Sequence, residues 1–136
     1  MPFAIKAQID DPHQQVFAFP SQKTMYGGKS ISVDDQVFVF ASENEGGQGL
    51  VARGIVVSCA PVPKLDNVAR QTPRVSIVVR RTALASRACG RRELKPFTTW
   101  GDGRPESELN VKLYRQATDK IVGISEDAAA FLGSFF

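Results

Sequence analysis

Gln36–Ala60 reads QVFVFASENEGGQGLVARGIVVSCA, and its three parts decide the fold class. Gln36–Ala41 is aromatic and β-branched without a charge, the composition of a buried strand. Ser42–Gly49 supplies the glycines of a flexible turn. Leu50–Ala60 returns as a second apolar run, in which Gly54 marks a bulge or a close backbone approach. The two runs form a hairpin-like pair. Outward from it, Phe3–Ile9 alternates as a strand ended by Asp10-Asp11-Pro12, and Val16–Phe19 is a short apolar run stopped at Pro20. Ser21–Ile31 reads as a loop or a single helical turn. Pro61 and Pro63 break the pattern ahead of a loop over Lys64–Pro73, and Val75–Arg81 is a third β-branched run. Cys89–Phe97 is short and basic, with no element assigned.

The C-terminal third changes period. Pro105-Glu106-Ser107-Glu108 opens a helix running to about Gln116, acidic at its start and with Arg115 near its end. Lys120–Ile124 is a short strand. Ser125 caps a second helix, along which Ala128, Phe131, Leu132, Phe135 and Phe136 form one apolar stripe. That stripe is expected to pack into the core, covering an open end of the sheet. Short strands with a few short helices in 136 residues predict one α+β domain, a small mixed β-barrel with peripheral short helices.

Composition excludes several classes. With 43% hydrophobic residues the chain is not disordered, and no apolar run approaches the ~20 residues of a spanning helix. The N-terminus lacks the pattern of a signal peptide, so a cytoplasmic location without membrane association is expected. Cys59, Cys89 and the single His13 make neither a disulfide framework nor a zinc site, and no metal or cofactor is expected. Nucleophile elbow, phosphate loop and metalloprotease motifs are all missing from the sequence. The net charge of +3 conceals an asymmetry: residues 51–100 hold 10 basic and 2 acidic side chains, whereas residues 1–50 hold 3 and 6. An Arg-rich middle flanked by acidic ends is either an anion-binding face or an interleaved mixed surface. Tyr26 and Trp100 lie in polar, Gly-containing stretches. They suit stacking on a nucleobase, or else anchor their own loops. Lys23-Thr24 is either a nucleophile pair, with Glu93 as proton carrier, or a solvated dipeptide.

The order of segments resembles the EVE family of the PUA-like superfamily. The resemblance rests on VDDQVFVFASENEGGQGLVARGIVVSCAPVP at Val33–Pro63, FAIKAQIDDP at the start, RRELKPF, and KLYRQATDKIVGISEDAAAFL near the C-terminus. It implies a single PUA-like domain over residues 1–136 and a pocket that reads a nucleobase, often a modified one flipped from its strand. Lys6 falls at the family's first-strand Lys. Ser42, followed by Glu43 and Asn44, falls at its pocket turn, and Tyr26 lies in the loop approaching that pocket. Ala4, Ala7-Gln8 and Asp34-Asp35 depart from the family pattern, which has Trp, Ser-Glu and Gly-Asp there. The resulting expectation is a non-catalytic domain binding a nucleic acid or a modified nucleoside, DNA and RNA left open. Lys6, Tyr26, Ser42, Glu43, Asn44 and Trp100 line the base site, and Arg80, Arg81, Arg91 and Arg92 hold phosphates, although strand alternation forbids Arg80 and Arg81 from sharing one ligand. Two alternatives stand beside it. One is a small amidohydrolase of acylated nucleosides, since Lys23-Thr24 resembles the Lys-Thr element of the related ASCH domains. The other is a protein-interaction module with an exposed apolar patch near Phe135 and Phe136.

Overall fold

The computed structural model describes every residue except Met1, Val68, Arg70, Ala117 and Thr118. Strands β1 (Phe3–Ala7), β2 (Val16–Met25), β3 (Gln36–Ala41), β4 (Gly49–Pro61), β5 (Arg74–Leu84) and β6 (Ile121–Gly123) close into a barrel in the order β1-β3-β4-β5-β2-β6. The β1–β3 and β2–β6 pairs are parallel and the other four antiparallel. Helices α1 (Arg91–Leu94), α2 (Pro105–Asn110) and α3 (Glu126–Gly133) lie outside the barrel, and α2 runs on into a π-helical turn, Val111–Arg115.

The uncharged QVFVFA run follows from burial on two faces. Val37 and Val39 join Phe3, Ile5 and Phe17 inside the barrel. Phe38 and Phe40 point outward with Ala4 and are covered by Leu109, Leu113 and Leu132 from the helices. A strand buried on both sides loses the polar alternation that β4 and β5 keep. The α3 stripe is core, as its period requires: Ala128 and Leu132 are fully buried and the Phe136 ring lies 6.0 Å from that of Phe38. It covers the outer wall, however, rather than an open end. Ser125 Oγ accepts from the Ala128 N–H and caps the helix.

Several expected bounds shift by a few residues, and the largest shift among the strands is in β2. The strand beginning at Val16 passes Pro20 and continues to Met25. A register shift between Phe19 and Gln22, with Ser21 at φ 51°, absorbs the missing proline donor. The Ser21 N–H is taken up by Ser76 Oγ at 2.8 Å. The extension lets Thr24 and Met25 pair with β6 and close the barrel.

Gly54 is a close approach, as its position in the run implies, since a Cβ there would lie 2.4 Å from the Arg80 carbonyl oxygen. Gly54→Ala must separate β4 from β5, and chemical denaturation should register a loss of about 1–3 kcal/mol.

Candidate functional site

The helical cover over β1 and β3 stops where polar residues begin. Lys6 follows Ala4 on the outward face of β1 and pairs with Phe40. Ser42 continues the outward series Phe38, Phe40, and its N–H donates to the Ala7 carbonyl at 2.8 Å, lengthening the parallel ladder. Both side chains are sealed from solvent, Lys6 at 0% and Ser42 at 1% exposure. Among the described residues Lys6 Nζ and Ser42 Oγ are the two buried side-chain polar atoms with no hydrogen-bond partner. Leaving such a group unpaired costs about 1–3 kcal/mol.

Tyr114, from the π-helical turn, covers the lysine with its ring centroid 4.3 Å from Nζ. Its hydroxyl is 3.1 Å from each Glu43 oxygen and donates to that carboxylate. Glu43 Oε2 also accepts the Arg91 N–H at 2.6 Å, and the Arg91 guanidinium donates to Asn44 Oδ1. The turn carrying Glu43 and Asn44 is stitched to the start of α1 through glycines. A Cβ on Gly49 would strike the Cys89 carbonyl at 2.5 Å, and one on Gly90 would strike Glu43. Burial holds the Lys6 amine below its ordinary value of 10.5; Asp119 and Glu43 oppose the shift and Arg91 adds to it. Burial and Glu43 together push the Tyr114 hydroxyl well above its usual range, so it stays a donor.

The structure thus brings Lys6, Ser42, Glu43 and Asn44 together with Arg91. Beside them, Arg91, Arg92 and Lys95 edge a hollow of about 590 Å³, and on the other side Lys6 edges one of about 280 Å³ with Gln8, Pro20, Glu45 and Asp119. The Tyr26 and Trp100 rings form their own pair at 6.3 Å. They sit across the π-helical turn, where the Tyr26 hydroxyl donates to Gln116 and the Lys112 ammonium lies 5.0 Å from its ring. Trp100 is 55% exposed and borders a separate cavity of about 400 Å³ with Arg104, Glu108 and Asp127. Arg80 and Arg81 lie on β5, three strands from β1 in either direction around the barrel. Arg80 is exposed, whereas Arg81 is engaged with the His13 carbonyl.

The residues expected of an amidohydrolase do not converge. Thr24 is buried and its hydroxyl donates to the Pro73 carbonyl, Lys23 is exposed on the opposite face, and Glu93 accepts from the Gly90 N–H. Burial raises the Cys89 thiol to about 12, which leaves it inert. Among the described residues no group of His, Cys, Asp and Glu could hold a metal ion, and no helix is long and apolar enough to cross a membrane. Tyr114 is the site residue that sequence reasoning missed. Its helical setting looks like ordinary amphipathic packing, and the one available signal is an aromatic set between Lys112 and Arg115.

Neither a scan of protein-family models nor a comparison with curated proteins finds a match. Solved structures do match in fold. The DUF55 domain of human thymocyte nuclear protein 1 superposes with a TM-score of 0.66 at 15% identity, over 98% of this chain and 97% of that one. Human THYN1 protein, crystallised in complex with DNA containing 5-methylcytosine, gives 0.65 at 14% identity over 97% and 95%. A hypothetical protein from Leishmania major gives 0.61 at 17% over 97% and 91%. The chain therefore has the small PUA-like barrel fold, and its resemblance to the EVE family holds at the level of fold.

Lys6→Met removes an unpaired buried cation while keeping the volume. The substituted protein should be more stable near neutral pH, by about 1–3 kcal/mol. Because the folded state lowers the amine's affinity for protons, the unfolded chain binds more protons in the window below 10.5. Wild-type stability therefore gains on the variant as pH rises through that window. Paired thermal melts across the alkaline range measure the convergence.

Proposed function

We propose that this domain binds nucleic acid and receives one unstacked base at the corner formed by Lys6, Ser42, Glu43 and Tyr114. The observation that carries the reading is the pair of unpartnered buried heads, Lys6 Nζ and Ser42 Oγ, on one face of adjacent strands. Lysine can only donate, and serine can donate or accept. A base edge presenting ring nitrogen or carbonyl acceptors supplies what both groups lack. Tyr114 is the aromatic at hand, held by Glu43 and able to pack against a base that displaces it from the lysine. The same-fold THYN1 complex with DNA containing 5-methylcytosine supports a nucleic-acid ligand; a modified base is the finer part of the proposal.

Arg91 and Arg92 hold the adjoining phosphates. The two carboxylates nearest them offer little competition, since Glu43 is occupied by Tyr114 and the Arg91 N–H, and Glu93 by the Gly90 N–H. Tyr26 and Trp100, across the π-helical turn, stack on a neighbouring base of the same strand. Arg80 and Arg81, on the far wall, have no part in this corner.

Fluorescence anisotropy with labelled single strands, plain and modified, at several salt concentrations tests the reading. Loss of a hydrogen bond to a charged group, about 1.5–3 kcal/mol, means that Lys6→Met should weaken binding roughly 10- to 100-fold. Flat titrations for all oligonucleotides would refute it. Replacing Arg91 and Arg92 with Ala should weaken all sequences alike. It should also flatten the slope of log affinity against log salt by about 0.7 for each phosphate no longer neutralised. Trp100 is the single tryptophan of the chain, so saturating oligonucleotide should quench its emission. Unchanged emission would remove Trp100 from the interface.

A further inference from the structure

Base recognition uses Lys6 as a donor, yet its setting is that of a nucleophilic amine. The side chain is fully buried, its Nζ meets no acceptor, the Tyr114 ring covers it at 4.3 Å, and the unpartnered Ser42 hydroxyl lies on the same outward face, just past the end of β3. The other lysines differ. Lys112 is ion-paired to Glu108 and bonded to the Gly123 carbonyl, Lys120 is half-buried, and Lys23, Lys29, Lys64 and Lys95 are exposed. Burial, with a smaller push from Arg91, lowers the amine's proton affinity, so a larger share of it carries a free lone pair than at an exposed lysine. Glu43 and Asp119 face the same amine and oppose the effect without overcoming it. A hollow of about 280 Å³, edged by Lys6 with Gln8, Pro20, Gln22, Glu45 and Asp119, lies beside the residue, and the Tyr114 ring that covers the sealed amine must move aside for a ligand to reach it.

We propose that Lys6 captures an aldehyde carried on a nucleic-acid strand, as a reversible imine. The inference rests on the base-binding reading, which brings the strand to this corner. In the step, the Nζ lone pair forms a bond to the aldehyde carbon and the C=O π pair moves to oxygen. That oxygen takes up a proton while the nitrogen gives one up, which yields a carbinolamine. The Ser42 hydroxyl, with both lone pairs and its proton uncommitted, can relay that exchange. The carbinolamine then expels its oxygen as water as the nitrogen lone pair forms the C=N bond. Amine and aldehyde give imine and water, and no oxidant or reductant is needed. The aldehyde can be a formyl group on a base or the open-chain sugar of an abasic site, which share this chemistry.

The test incubates the wild-type protein with short single strands bearing one 5-formylcytosine, one abasic site, or neither, and then adds borohydride. Reduction converts an imine into a stable secondary amine, which peptide mass spectrometry locates. The expected result is a borohydride-dependent adduct on Lys6 with one or both aldehyde strands and none with the plain strand. Which strand reacts identifies the aldehyde source. The yield should rise with pH as more of the amine is neutral, and Lys6→Arg, which keeps the charge, should abolish the adduct. Adducts spread over the exposed lysines, or persisting undiminished in Lys6→Arg, would overturn the proposal. Because the site is mapped on the wild-type chain, the outcome does not depend on the variant folding. Anisotropy on the plain strand runs in parallel. Binding without an adduct overturns the capture alone, whereas absence of both overturns the base-binding reading with it.

Discussion

Parallel pairing of β1 with β3 leaves both strands covered on two faces, by the barrel core within and the helical layer without. The remaining architecture follows from how that cover is built and where it ends. Ala4, Phe38 and Phe40 satisfy it with apolar surface, and the π-helical turn after α2 extends it far enough to bring Tyr114 over Lys6. Burying an ammonium ion costs several kcal/mol unless it is paired and hydrogen-bonded. The ring face returns about 2 kcal/mol at most, and no acceptor supplies the rest. That uncompensated cost sets Lys6 apart from the apolar residues around it in the strand.

Glu43 holds the corner together. It receives the Tyr114 hydroxyl from the helical layer and the Arg91 N–H from α1, so one carboxylate joins two elements far apart in sequence. Close packing of its turn against Cys89 and Gly90 keeps that carboxylate in place, and glycine is required at Gly49, where φ is +88° and a Cβ would meet the Cys89 and Gly90 backbone at 2.5 Å. The glycines of Ser42–Gly49 thus serve approach between segments as much as flexibility.

How much of this could be read from the residues depends on whether a feature is local. QVFVFA has its strand bounds because double burial leaves a compositional trace, and Ser125 marks its helix because capping is a contact between near neighbours. Pro20 misleads because the bulge that accommodates it depends on Ser76, fifty-five residues from Ser21. Tyr114 escapes notice because what distinguishes it from a packing residue is Lys6 and Glu43, neither of which is near it in sequence. Lys6 itself stands out only through family resemblance, since an isolated lysine in a short strand ordinarily faces water. The same resemblance puts Ser42 and Asn44 at the corner, whereas Tyr26 and Trp100 form a second locus on the other flank of the π-helical turn.

The Arg-rich middle of the chain illustrates the same limit for electrostatics. In linear order Arg80, Arg81, Arg91 and Arg92 look like one basic segment, yet barrel closure sends β5 to the wall opposite β1 while the chain after it returns to pack α1 against the Glu43 turn. Salt screens exposed cations from one another beyond about 8–10 Å, so position on the fold, rather than order in the chain, decides which of these arginines share a field. Only the field at Arg91 and Arg92 adjoins the unpaired amine and hydroxyl. The cations of Arg91 and Arg92 and the unpaired donors of Lys6 and Ser42 thus fall within a single corner of the fold. That coincidence makes this corner, rather than the larger total of basic charge, the place to look for a ligand.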